Sequence, residues 1–151
     1  MPIFNLRQDT IMANFWNDIT VIMVVHNSAS VIHDVLNTLK QAPHVIVVDN
    51  NSTDNTVEIA ANNHPSIKVI RRANNAGFGI ASNEGFRCTT TKYILHLNPD
   101  TKFEDTCIKQ LLATAEQDDN IALVAPALYN QDERLELEVM RADELRHHPI
   151  Q

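Results

Sequence analysis

Hydrophobic residues in this chain gather in short runs, separated by stretches with helical spacing. Ile19–Val25 is a nearly continuous β-branched run, the pattern of a strand covered on both faces. Val45–Val48, ending at Asp49, is a second such strand, and Ile67–Ile70 is a third. Tyr93–Leu97 reads as a fourth, buried in the interior of the sheet, and Ile121–Ala125 as a fifth, stopped by Pro126. Between the first two, Ile32, Val35, Leu36 and Leu39 recur at i, i+3, i+4 and i+7, with Ser28 or Ser30 placed to cap the helix. The turn Asn50–Asp54 opens a second helix that runs to about Asn62, with Val57, Ala60 and Ala61 facing inward and Asp54 serving at its start. A third helix passes through Phe86 and Cys88. A fourth spans Glu104–Gln117 and presents Ile108, Leu111, Leu112 and Ala115 on one face. Thr101-Lys102-Phe103-Glu104 has the form of a capping box for it.

Strand and helix in alternation give βαβ units. The expected fold is therefore α/β: three-layer and Rossmann-like, with a mainly parallel sheet and helices on both faces. Residues 18–126 form this domain. Residues 1–17 are aperiodic, with Phe4, Phe15 and Trp16 as the only large anchors, and read as a disordered leader or an edge segment. In residues 127–151 the pattern changes. Leu135-Glu136-Leu137-Glu138-Val139 alternates as a half-exposed strand does, and with Asn130-Gln131-Asp132 as a turn it forms an antiparallel β-hairpin with the segment ending at Leu128.

Charge removes some partners. A formal net charge of −7 over 151 residues is the opposite of a nucleic-acid footprint and disfavours docking on anionic lipid. No run approaches the length of a membrane span, and no apolar leader segment is present. Cys88 and Cys107, both read as helical, suit reduced thiols. The expectation is a soluble, cytoplasmic protein with no transmembrane segment and no nucleic-acid partner.

The chemistry gathers where strands end. Asn98-Pro99-Asp100-Thr101 stops the fourth strand sharply, because proline cannot donate to a ladder. Asp49 and Asp100 thus stand beyond the C-terminal ends of two strands, the edge where ligands bind in open α/β sheets. The turn after the first strand, His26-Asn27-Ser28-Ala29-Ser30-Val31, lacks the G-x-G-x-x-G of a dinucleotide fold. No P-loop, zinc spacing or G-x-S-x-G elbow occurs. All three glycines, Gly77, Gly79 and Gly85, fall within Asn74–Gly85, which marks backbone that bends unusually or lies close to something. His96 reads as a packed histidine, and Arg71 and Arg72 as charges at a strand end.

The run I-T-V-I-M-V-V-H-N (Ile19–Asn27), then V-I-V-V-D-N-N-S-T-D (Val45–Asp54), then N-A-G-F (Asn75–Phe78), then L-N-P-D (Leu97–Asp100) resemble the successive signatures of the inverting family-2 glycosyltransferases, enzymes of GT-A fold. The resemblance covers roughly Asp18 to Met140, and the N-P-D form resembles the rhamnosyltransferase-like branch, which builds bacterial O-antigen and cell-wall polysaccharides. It implies transfer of a sugar from a UDP- or dTDP-sugar donor, dTDP-rhamnose among them, to a glycan or lipid-linked acceptor, at the inner face of the membrane, and leaves the chain open to peripheral membrane association through that acceptor. By resemblance Asp49 bonds the uracil or thymine edge, with Val24, His26 and Asn27 beside it. Asn75, Gly77 and Phe78 line the donor, and Asp100 binds a divalent metal, Mn²⁺ or Mg²⁺. Asn98 stands where the family's metal motif has its first acid, and His26 where a tyrosine is frequent.

Transfer with inversion also needs a general base. In the family it comes from an acidic segment later in the chain. Glu133, Glu136, Glu138, Asp143 and Glu144 match no such motif, so the base is expected beyond Gln151 and the sequence reads as the donor-binding half of a transferase. A nucleotide-sugar-binding module without transfer activity of its own is the alternative. An apolar face on Leu135, Leu137 and Val139 would favour a homo-oligomer.

Overall fold

The first four apolar runs form strands: β1 (Ile19–Val25), β2 (Val45–Asp49), β3 (Ile67–Arg71) and β4 (Tyr93–Leu97). The computed structural model describes residues 15–64 and 66–126. The first part of the leader and the expected hairpin around Leu135–Val139 lie outside the described residues. Helices α1 (Ile32–Thr38), α2 (Thr56–Asn63), α3 (Phe78–Phe86) and α4 (Asp105–Ala115) alternate with the strands. Ahead of β1, a 3₁₀ turn at Phe15–Asp18 buries Phe15 and Trp16, and Trp16 packs near Phe103.

All neighbouring strands are parallel, in the order β3-β2-β1-β4. β1 and β2 are central and buried along their whole length, as their β-branched composition requires. Among the described residues β3 and β4 are the outer strands and both are half-exposed, so Tyr93–Leu97 is not the buried interior strand its apolar run suggests: it has one strand neighbour, β1. The chain moves from β1 outward to β3, then returns past β1 to β4. Right-handed crossovers therefore place α1 and α2 on one face of the sheet and α3 on the other. On the α3 face, Ile22, Val24, Ile46 and Val48 form a core cluster with Ala81, and Ile70 packs against it. Val21, Met23, Val45 and Val47 fill the opposite face and are no more than 1% exposed. The backbone divides into two compact units, Met1–Glu104, which holds this sheet, and Asp105–Gln151, which holds α4. In α4, Ile108 and Leu112 are buried, while Leu111 and Ala115 are only partly so.

Several local expectations are corrected. Ile121–Ala125 forms no strand: strand-forming residues need a neighbour to complete their hydrogen bonds, and among the described residues this segment has none, with Leu123 83% exposed. Thr101 does not cap α4, which starts at Asp105. Its N–H instead closes a turn onto the Asn98 carbonyl at 3.1 Å. Neither Ser28 nor Ser30 caps α1 through its side chain, since the residue before that helix is Val31 and no side-chain cap forms. The Ser28 carbonyl receives the N–H groups of Val31 and Ile32, and its hydroxyl donates to the His26 carbonyl at 3.3 Å. In α2 the third inward residue is Thr56, with Val57 and Ala60, while Ala61 is exposed. Cys88 lies in the turn after α3 rather than within a helix.

Candidate functional site

The strand order sets the place of the site. The order in which strands are added reverses at β1, with β2 on one side and β4 on the other, so a crevice opens outside the C-terminal ends of β1 and β4, the position where open α/β sheets hold ligands. His26 and Asn27 leave β1 there, Asp49 ends β2, and Asn98–Asp100 follow β4. Asp49 is paired in register with Val25 on one side and Arg71 on the other.

The loops after β1 and β2 are tied together. Asn27 sits in the left-handed region at φ 51°, which its short amide tolerates. Its N–H donates to Ser52 Oγ at 2.9 Å, and its Oδ1 accepts from the Thr53 N–H at 2.8 Å and the Thr53 hydroxyl at 3.2 Å. The Ser28 N–H donates to Thr56 Oγ1 at 2.8 Å. Asp54 joins the same junction: Oδ2 accepts the Ala29 N–H at 3.1 Å, while Oδ1 accepts from the Thr56 N–H and hydroxyl. The Thr56 hydroxyl, aided by these backbone donors, holds the Asp54 carboxyl below its usual range. Asp54 thus opens α2 and also anchors the β1 loop.

Asp49 is 4% exposed, an unusual setting for a carboxylate. One oxygen accepts the Ser52 N–H at 3.0 Å. No other described residue bonds the group, so its second oxygen keeps free acceptor capacity. His26, exposed beside it, bonds through Nδ1 to the Asn50 carbonyl at 3.1 Å. A carbonyl only accepts, so the neutral ring carries its proton on Nδ1 and leaves Nε2 as an acceptor.

On the third loop, Asn75 Oδ1 accepts from Asn50 Nδ2 at 2.7 Å and from the Gly77 N–H at 3.1 Å. Gly77 has φ 88° and ψ 162°, a conformation essentially closed to other residues. A Cβ there would meet nothing within 4 Å, so its glycine serves conformation and not space. Phe78 follows, 52% exposed, with its ring 5.1 Å from that of His96. His96 also packs on Phe86 and bonds Ser82 Oγ at 3.2 Å. Burial lowers its pKa from the ordinary 6.5. It is a packed histidine, as its place in the strand implies. Arg71 pairs with Glu58 at 3.2 Å, and Arg72 with Glu84, so both charges have carboxylate partners.

The structure gathers His26, Asn27, Asp49, Asn75, Gly77 and Phe78 around one sheet edge, with Asn98 and Asp100 exposed across the end of β1. Val24 lies one step inside, its side chain in the core cluster. Among the described residues no group of three or more His, Cys, Asp or Glu could hold a metal ion by itself. Asp100 carboxylate and Asn98 carbonyl oxygens, both in an exposed turn, nevertheless suit a hard cation that takes one carboxylate and completes its shell with phosphate oxygens and water. Sequence reading missed Asn50, which it took as a turn residue. Its position directly after a buried strand and beside Asp49 was the available signal.

Comparison with known proteins agrees with this fold. The family model for glycosyl transferase family 2 matches residues 20–149. The uncharacterized glycosyltransferase YibD of Escherichia coli (strain K12) is 31% identical over 115 residues, which cover 72% of this chain and 33% of that protein. The chain therefore spans about a third of the length of the curated relative it matches. The crystal structure of S. aureus TarS 1-349 superposes with a TM-score of 0.60 at 22% identity, over 76% of this chain and 40% of that one. Glucosyl-3-phosphoglycerate synthase of Mycobacterium tuberculosis, in complex with Mn²⁺, UDP and glucosyl-3-phosphoglycerate, does so with 0.59 at 18% identity, over 80% and 47%. These structures share the fold, and with most of its length matched by the family model the chain belongs to glycosyl transferase family 2.

Proposed function

We propose that this chain forms the donor-binding part of an inverting glycosyltransferase that takes a UDP- or dTDP-sugar together with Mn²⁺ or Mg²⁺. The observation that carries the reading is the pair Asp49 and Asp100 at one sheet edge, the first ending β2 and the second in the turn after β4, the two strands that flank β1. Asp49, buried with an unused oxygen, suits the N3–H of a uracil or thymine ring, and the His26 ring is placed to pack on that base. Asp100, with Asn98 beside it, would hold the metal against the donor diphosphate. When bound there, the metal supplies Lewis-acid stabilisation of the departing diphosphate, worth several kcal/mol. Asn75, Gly77 and Phe78 line the donor from the other side. That glucosyl-3-phosphoglycerate synthase binds UDP with Mn²⁺ on the same fold supports the metal and the nucleotide class.

The finer reading places the acceptor among glycans or lipid-linked saccharides of the bacterial envelope, worked on at the cytoplasmic side of the membrane. It rests on the N-P-D turn, whose resemblance is to the rhamnosyltransferase-like branch. Among the described residues no helix is long and apolar enough to cross a membrane. Titration calorimetry with UDP, dTDP and GDP, with and without Mn²⁺ or Mg²⁺, tests the core of the proposal. Pyrimidine nucleotides should bind only weakly without metal and clearly with it. A folded protein that binds none of them under either condition overturns it.

A further inference from the structure

The loops on either side of Asp49 are locked together by two amides whose orientation the backbone dictates. A backbone N–H only donates, so the Ala76 N–H at 3.2 Å requires the near atom of Asn50 to be Oδ1. The Gly77 N–H at 3.1 Å imposes the same on Asn75. Asn50 Nδ2 is then left facing Asn75 Oδ1, and the two meet at 2.7 Å as donor and acceptor. Neither amide can flip without setting donor against donor. The main chain of Asn50 holds the opposite side of the site: its N–H donates to the Val25 carbonyl at 2.8 Å, and its carbonyl receives His26 Nδ1–H at 3.1 Å. Asn50 is 3% exposed, whereas Asn75, Gly77 and Phe78 are all exposed. The loop they form has little burial to hold it, and it carries Gly77 at φ 88°.

We infer that Asn50 is a positioning residue for donor binding, ordering the Asn75–Phe78 loop through Asn75 while fixing the tautomer of His26. This rests on the donor-binding reading above. The residue touches no donor atom itself. Its effect is that the loop stands ready before the ligand arrives, so ordering is not charged against affinity.

Asn50→Asp is the discriminating change. It keeps size and the acceptor for Ala76 but cannot donate to Asn75, so two acceptors face each other. Asn75→Ala removes the same bond from an exposed position and guards against a folding defect at the buried one. Amide exchange at Ala76 and Gly77, measured without nucleotide, should accelerate in both variants. Affinity for UDP with Mn²⁺ should fall about tenfold in Asn50→Asp, the size of one well-made hydrogen bond, and at least as far in Asn75→Ala, which also loses the Gly77 bond and a donor-lining side chain. Asn75 also lines the donor and receives the Gly77 N–H, so the double variant should be no worse than Asn75→Ala alone, Asn50 acting on the donor only through Asn75. Additive losses, or exchange that does not change while UDP still binds, would overturn the lock alone. UDP affinity within about twofold of the parent in both variants, despite faster exchange, would leave Asn50 a merely structural residue. Failure of the unmodified protein to bind UDP would overturn the donor reading and the role built on it.

Discussion

Gly85 of α3 lies so close to Ile22 of β1 that a Cβ there would stand 2.8 Å from the Ile22 Cγ2, and 3.2 Å from that of Val48. Both partners are fully buried in strands that cannot retreat. Gly85→Ala should therefore destabilise the protein by about 1–3 kcal/mol, the usual range for overpacking, despite the better helix propensity of alanine. Gly79 is the control, because a Cβ there meets nothing within 4 Å and its backbone has no positive φ. Gly79→Ala should be neutral or stabilise by about 0.4–1 kcal/mol. Urea unfolding of the two variants checks the pair. Equal effects would mean that α3 does not pack on the sheet as described.

That contact also shows what the sequence could and could not convey. The glycine cluster pointed to close approach or special backbone, and the structure divides the roles: Gly85 for approach, Gly77 for conformation. The central strands β1 and β2 were legible because their β-branched runs match the burial they receive, whereas the apolar runs of β3 and β4 marked strands but not their half-exposed positions. Ile121–Ala125 looked equally strand-like, yet propensity cannot tell a run whether a neighbouring strand will pair with it. Asp49 and Asp100 were readable because a strand end followed by turn residues fixes an edge. The role of Asn50 was not, since its partners Asn75 and Ala76 come from a loop about 25 residues away and meet it only after β3 is in place. Thr101 failed as a cap because α4 begins only at Asp105, which leaves the Thr101 hydroxyl too far ahead of the first free N–H groups of the helix to accept from them.

Asp49→Asn should lower affinity for pyrimidine nucleotides and erase their advantage over purine ones. The amide can still accept the Ser52 N–H, but it then presents an NH₂ group where a second carboxylate oxygen stood, donor facing the donor N3–H of the base. A hydrogen bond to a charged group is worth about 1.5–3 kcal/mol, so the loss should be on the order of tenfold to a hundredfold. Calorimetry with UDP and ADP measures it. Retained preference for UDP would place base recognition elsewhere.

His96 should leave a mark on the pH dependence of stability. Burial lowers its pKa in the folded protein below the ordinary 6.5, so the unfolded chain binds this proton more readily. Stability from the site is then complete above pH 6.5 and is lost as pH falls from there through the lowered folded value. Replacing His96 by glutamine, which can still meet Ser82 Oγ, should flatten the part of the profile that lies below pH 6.5. Urea midpoints taken across the range in which histidine titrates, about pH 5–8, test this. An identical slope in the two proteins would show that His96 does not carry the effect.

Asp100→Asn should separate metal from base. Asp100 is the carboxylate of the exposed turn after β4, and its neighbour two residues back, Asn98, is neutral. Removing the charge leaves only neutral oxygens for a cation that prefers carboxylate and phosphate. Affinity for UDP in the absence of metal should stay close to that of the parent, because Asp49, across β1 at the end of β2, and His26, at the end of β1, are untouched. The gain on adding Mn²⁺ should disappear, and the preference for UDP over ADP should persist. Asp49→Asn should show the reverse: poor discrimination between bases, with the metal gain intact. The two changes share no partner in the structure, so their effects on UDP affinity should add when combined. Titrations of the single and double variants, each with and without Mn²⁺, give the full set. If both substitutions reduced base preference and metal dependence alike, the two acids would not divide the donor between them, and the assignment of Asp100 to the metal would fall.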